Sequence, residues 1–189
     1  MPQFIVVGHD APTTADFSLD DLTAGRLDLL ARSVNAALLQ SHGIRGGTVV
    51  SLVLQDEVTV RFDGAEIGGL NPDERSIAGV VRTALQRLDG RGALPDGVSV
   101  KTHGLEGELE AAAGPVFQLH ADGEPITSVA PGDDATFVLS DHRDMTAGEQ
   151  DLLDSYVDGT VTVGPAPLHT DHAITAVHNF LDTAGYTEY

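Results

Sequence analysis

At 189 residues and 19.8 kDa, with 41% hydrophobic residues, the chain has material for one domain with an ordinary core. It has no cysteine, which excludes disulfides, thiolate nucleophiles and cysteine-based zinc sites, and apolar runs such as Val49–Leu54 are too short to span a bilayer. Its 29 acidic and 10 basic residues, a net charge of −19, exclude long-range attraction of nucleic acid, which could be held only where arginines gather locally.

The acids are spread along the chain, not collected in a tail, and Lys101 is its one lysine. This pattern reads as a surface adapted to high salt, where the Debye length falls to about 3 Å and self-repulsion is screened. No stretch resembles a signal peptide, so a soluble cytoplasmic protein is expected.

Gln3–Val7 is predicted as an opening strand. From Arg26 to Gln40, Leu27, Leu30, Ala31, Val34, Ala37 and Leu38 share one helical face. Thr48–Leu54 and Val58–Phe62 read as a hairpin around Gln55–Glu57. A second helix is predicted to be capped by Asn71, with Pro72 in its first turn, Glu74 closing a capping box, and a stripe from Ile77 to Leu88. Val98–Thr102 is a candidate strand and Glu106–Ala113 a short helix.

The last third alternates strand and helix. Val116–Leu119 should end in a turn at Asp122–Gly123. Phe137–Leu139 leads to a helix capped by Thr146 with Glu149, and Val161–Val163 leads to a helix over Asp171–Ala184, stopped by Gly185. Such alternation implies an α/β fold with a parallel sheet, whose ligands sit beyond the carboxyl ends of the strands. That rule singles out Leu119–Asp122, Ser140–His142 and Gly164–His169.

The Gly164–Leu168 loop is apolar and its prolines lack N–H donors, so it suits a flat base better than a phosphate. The same residues also read as a plain rigid connector. His169, Asp171 and His172, with Asp141 and His142, carry metal-ligand chemistry, but they straddle a helix start where Thr170 or Asp171 would serve equally as a cap. Arg26, Arg32, Arg45 and Arg75 can contact phosphates, although Asp28 and Arg32 are also spaced to pair on a helix.

The segments Gly25–Asn35 (GRLDLLARSVN), Ser41–Arg45, Phe62–Glu66 and Asn71–Ser76 follow one another in an order that resembles the archaeal tRNA (pseudouridine-54) N1-methyltransferases. Leu119-His120, Leu139–His142 and Leu168–Thr175 (LHTDHAIT), then His178-Asn179 and Leu181-Asp182, continue the resemblance over nearly the whole chain. It implies a SPOUT-class fold: a parallel sheet flanked by helices, with a C-terminal trefoil knot, in a homodimer. Residues 1–189 would form a single domain, the N-terminal half facing RNA and roughly residues 115–189 forming the knotted cofactor part.

The resemblance implies S-adenosylmethionine at Leu119, Ser140, Val163, Gly164, Pro165, Ala166, Pro167, Leu168 and Ala173. It further implies methylation of pseudouridine N1 in the tRNA T-loop, with no metal. Asp28 is the candidate proton acceptor or orienting group, and Arg26, Arg32, Arg45 and Arg75 are the candidate RNA contacts. Gly164 is expected to permit close approach of a ligand. The apolar and aromatic side chains of the last helix, Ile174, Val177, Leu181, His178 and Phe180, are expected to exceed what one sheet face covers and so to make the dimer. Two other readings remain. One is a SPOUT protein acting on another RNA or on none; the other is a metal-dependent hydrolase using His142, His169 and His172.

Overall fold

The computed structural model describes residues 1–189. Its elements in chain order begin with β1 (Gln3–Gly8), a 3₁₀ turn (Ala24–Arg26), α1 (Leu27–Leu38), and the two-residue strands β2 (Leu39–Gln40) and β3 (Gly43–Ile44). Next come β4 (Val49–Leu54), β5 (Val58–Asp63), α2 (Glu74–Leu88), β6 (Val98–Lys101) and α3 (Leu105–Glu110). The last third holds β7 (Val116–Pro125), α4 (Ile126–Val129), β8 (Thr136–Ser140), α5 (Ala147–Leu153), β9 (Gly159–Thr162) and α6 (Thr170–Asp182).

One seven-stranded sheet runs β6-β5-β4-β1-β8-β7-β9. The pairs joining β4, β1, β8, β7 and β9 are all parallel, while β5 is antiparallel to both β4 and β6. The central strand β1 is covered on both faces, as a parallel sheet requires. Phe4 and Val6 join the large core with α1, α2 and α6; Ile5 and Val7 face the other way, into a smaller core with Leu105, Leu109 and Leu153 of α3 and α5. Phe137 on β8 lies 5.7 Å from Phe4 and 6.2 Å from Phe117, ring centre to ring centre, and burial of each such ring contributes about 1.5–3 kcal/mol.

Several expectations need correction. The cap of α2 is Asp73, whose carboxylate accepts the Ser76 N–H at 2.8 Å; Asn71 and Pro72 precede the helix, and the Pro72 carbonyl accepts Asn35 Nδ2 at 2.8 Å instead. β7 does not stop at Asp122–Gly123. Leu119 and Glu124 both pair with Val161 of β9, so His120–Gly123, which include the expected turn, are an irregular excursion within one strand. The hairpin read around Gln55–Glu57 is present as β4 and β5, and β6 extends it to an antiparallel meander.

The last helix also differs. Ile174, Val177, His178 and Phe180 are already buried within the chain, where α6 lies against α1, and Leu181 is half-buried. The surplus apolar surface expected of α6 is therefore absent. His178 is packed edge-on to Phe4 at 5.1 Å and bonds through Nε2 to the Ala37 carbonyl at 3.0 Å. Burial, helped by the nearby Arg45 charge, pushes its pKa down to about 4. The folded value lies below the ordinary 6.5, so neutral His178 contributes stability above that pH and loses it as pH falls toward 4. Acidification from neutral pH to pH 4 should cost about 3 kcal/mol through this residue alone. Urea unfolding of wild type and His178→Gln at both pH values reads the difference, and equal acid sensitivity in the two would refute it.

Candidate active site

The irregular middle of β7 and the segments that follow β8 and β9 meet in one cavity of about 500 Å³, within the range of small-molecule sites. Leu119, His120 and Ala121 line it from β7, Leu139 to Asp144 from β8, and Thr162, Val163 and Ala166 to His169 from β9. Thr170 and Ala173 close it from the first turn of α6. The strands place these segments together because all three run in the same direction. Thr170 ties the elements by donating its hydroxyl to the Ser140 carbonyl at 2.7 Å. His169 occupies the cap position of α6 without a side-chain hydrogen bond, so neither Thr170 nor Asp171 is the cap.

The lining divides by chemistry. Val163, Ala166, Pro167 and Leu168 form an apolar shelf, and Leu168 is 46% exposed at the lip. Asp141, His142, Arg143 and Asp144 form the opposite, polar wall. Gly164 and Pro165 do not line the cavity. A Cβ on Gly164 would meet nothing within 4 Å, and its φ lies outside the left-handed region, so the fold itself does not require glycine there. The residues fit an adenosyl group with a cationic sulfonium, with an apolar shelf for the base and carboxylates in the same lining.

Beside this cavity stands an arginine–carboxylate network. Asp28, in the first turn of α1, is buried and takes Arg26 Nε at 3.0 Å and Arg32 Nη1 at 3.4 Å. Arg32 also reaches Glu74 at 3.6 Å and, through Nε, Asp171 at 3.3 Å. Burial works to raise the Asp28 carboxyl, but the hydrogen bond and charge of Arg26, with Arg32 adding to it, hold it below its ordinary value. A carboxylate so held is a weak proton acceptor and a good anchor for guanidinium groups.

Arg26 itself has φ 56° and ψ 32°, a left-handed backbone that costs a non-glycine residue of order 1 kcal/mol or more. Gly25 before it, at φ +71°, brings the chain so close to the Asp10 carbonyl that a Cβ would sit 2.4 Å from it. Arg26 lies close enough to Asp141, on the polar side of the cavity, to feel its charge.

The four arginines do not form one cluster. Arg75 is exposed on the neighbouring turn of α2 and pairs with Asp20. Arg45 makes a two-pronged pair with Asp182 at 2.9 and 2.6 Å, beside Met1, Pro2 and Thr48 at the opposite ends of the parallel strands. No three His, Asp or Glu side chains converge as a metal-binding group. His169 and His172 stack edge-on at 6.0 Å, and His172 lies 3.9 Å from Asp171, so the hydrolase reading finds no donor set.

His9, Asp10, Arg143 and Asp144 also belong to the site and escaped sequence reasoning. The signal was present: Gly8-His9-Asp10 ends the central parallel strand, where the carboxyl-end rule applies as well as at β7, β8 and β9.

A family model described as "Putative SAM-dependent RNA methyltransferase" matches residues 1–186. The tRNA (pseudouridine(54)-N(1))-methyltransferase of Haloferax volcanii is 53% identical and that of Halobacterium salinarum 52%, each over the full length of both chains. The crystal structure of Archaeoglobus fulgidus Nep1 bound to S-adenosylhomocysteine shares the fold, with a TM-score of 0.67 at 11% identity over 94% of this chain and 95% of that one. No helix is long and apolar enough to cross a membrane. The chain belongs to this family of SAM-dependent RNA methyltransferases.

Proposed function

We propose that the chain is a tRNA (pseudouridine(54)-N1)-methyltransferase that uses S-adenosylmethionine. The observation that carries this reading is the cavity between the irregular middle of β7 and the carboxyl ends of β8 and β9, with the Arg26–Asp28–Arg32 network at its side. Support comes also from the full-length relatives, whose name states that reaction. When bound, S-adenosylmethionine supplies a methyl group on a positively charged sulfur, already a good leaving group.

The residues then divide the work. Leu119, Val163, Ala166, Pro167, Leu168 and Ala173 bury the adenosyl part and exclude water, and Ser140 fixes the turn through its bond to the Arg143 carbonyl. Arg26, anchored by Asp28, faces the incoming uracil ring, where N1 must lose its proton as the methyl arrives. A guanidinium there stabilises the negative charge that develops on the ring, and positioning supplies much of the rest. Asp28 acts as the orienting group and not as the base, and the N1 proton leaves to solvent water. Arg32 and Arg75 take RNA phosphates, and Arg45, at the other end of the strands, reaches the same tRNA only from a second copy of the chain.

The proposal extends to a single domain over residues 1–189, with a trefoil knot in roughly residues 115–189 and a homodimer. The knot reading draws on the meeting of Val163 and Ala166–His169 with Leu119–Ala121 and Leu139–Asp144 around one cavity. Light scattering in molar salt should return twice 19.8 kDa; a species of 19.8 kDa would contradict the dimer. The activity is tested by nucleoside mass spectrometry of tRNA from a strain lacking the gene: 1-methylpseudouridine should be absent at position 54, and its persistence would refute the assignment.

A further inference from the structure

The end of β1 carries a histidine to which methyl transfer gives no role. The His9 side chain is only 8% exposed, and its backbone N–H and both ring nitrogens face carboxylates. The backbone N–H donates to Asp141 Oδ2 at 2.9 Å, Nδ1 lies 2.9 Å from Asp141 Oδ1, and Nε2 lies 3.0 Å from Glu149 Oε2. The Asp141 and Glu149 side chains are themselves 0% and 14% exposed. A neutral imidazole has one N–H and one lone pair, so either neutral tautomer would turn a lone pair onto a buried carboxylate oxygen. Only the imidazolium donates to both.

The two carboxylates begin and end one segment. Asp141 Oδ1 also accepts the Arg143 N–H at 2.9 Å, which sets the turn that carries Arg143 and Asp144 along the cavity. Glu149 Oε2 also accepts the Thr146 N–H at 2.7 Å and its hydroxyl at 2.8 Å, which closes the capping box of α5. One ring therefore fastens both ends of the Asp141–Glu149 segment, whose first four residues line the cavity, to the end of the central strand.

We propose that His9, as an imidazolium, is a positioning residue that holds the Asp141–Glu149 wall in the shape that binds S-adenosylmethionine, so that cofactor affinity follows its proton. The inference rests on the cavity being the cofactor site.

Other charges surround the group. Asp10 follows it on the chain and pairs with Arg143; His142 lies 3.7 Å from Asp10 and 3.4 Å from Asp141; Arg26 feels Asp141 from the start of α1. Burial by itself lowers the His9 pKa, but the hydrogen bonds and charges of Asp141 and Glu149 outweigh it and raise the pKa above the ordinary 6.5. The clamp is thus complete below that pH and is lost as pH rises through the raised value.

The test is calorimetric titration of S-adenosylhomocysteine into the full-length protein in molar potassium chloride, from about pH 6 to about pH 9. Wild-type affinity should fall about tenfold across that range, the loss of one charge-assisted hydrogen bond. His9→Asn can keep the bond to Asp141 and His9→Gln the bond to Glu149, but neither titrates. Both should bind about tenfold more weakly than wild type at the acid end, with flat profiles. A wild-type profile that is flat, or that survives unchanged in both variants and so belongs to His142 or another group, would overturn the proposal. Ring-nitrogen chemical shifts of the wild type need no substitution: two protonated nitrogens are expected near neutral pH, and a neutral tautomer would refute the clamp. Ala173→Leu separates the two levels. If it binds the ligand like wild type, the cavity assignment falls and the His9 role with it; if it abolishes binding while the His9 variants titrate like wild type, only the His9 role falls.

Discussion

Ala173→Leu is expected to weaken S-adenosylmethionine binding by 100-fold or more, about 3 kcal/mol, while leaving the protein as stable as wild type. Ala173 is buried in the first turn of α6 and lines the cavity opposite the β7 loop, so added carbons project into the space the adenosyl group would fill. Leucine is a better helix residue than most, and it displaces no protein atom if it enters an open cavity. Gly164→Val is the matched control. Nothing lies within 4 Å of its added Cβ and the residue does not line the cavity, so affinity should change by less than about threefold, under 1 kcal/mol. Calorimetry on the two variants, with urea unfolding as the check on folding, decides whether the cavity wall or the Gly-Pro loop backbone makes the contact.

The second large effect is expected on the RNA side. Arg26→Ala should lower methyl transfer by about 100-fold or more with little change in cofactor affinity, the scale of losing one group that stabilises developing charge. Removing Arg26 also leaves Asp28 with Arg32 as its remaining partner, so Asp28→Asn should share part of the loss by freeing Arg26 from its anchor. Arg75→Ala should act differently: weaker RNA binding and a salt dependence flatter by about one unit of slope, with the chemical step retained. Arg87, exposed in the last turn of α2, is the control. Single-turnover transfer measured against RNA concentration separates the two effects. Transfer by Arg26→Ala equal to that of Arg87→Ala would make the network structural.

How much of this was legible in the sequence depended on how local each cause is. The capping box of Thr146 and Glu149 needs only four consecutive residues and is present as read. The strand ends that form the cavity followed from the alternation of strand and helix, because parallel strands put their following loops on one side. The cap of α2 was misread by two residues, since Asn71 and Asp73 are both competent and only the bond to Ser76 distinguishes them.

Long-range partners were not legible. His9 meets Asp141 across 132 residues, and Arg45 meets Asp182 across 137. No periodicity encodes such pairs. Arg26, Arg32, Arg45 and Arg75 looked like a cluster because they follow one another within a short stretch of sequence, yet the sheet places Arg45 at the end of the strands away from Arg26 and Arg32. The apolar face of α6 was read correctly as a face, but its partner proved to be α1 of the same chain.

The most direct measurement is methyl transfer by the purified protein to a tRNA T-arm carrying either pseudouridine or uridine at position 54. Pseudouridine is joined to ribose through carbon, which leaves N1 with a proton to exchange for a methyl; in uridine that nitrogen is the glycosidic one and cannot accept it. With S-adenosylmethionine and molar salt, the pseudouridine RNA should yield 1-methylpseudouridine and the uridine RNA nothing. Equal methylation of both RNAs, or of neither while the protein binds cofactor, would contradict the assignment of pseudouridine N1 as the methyl acceptor.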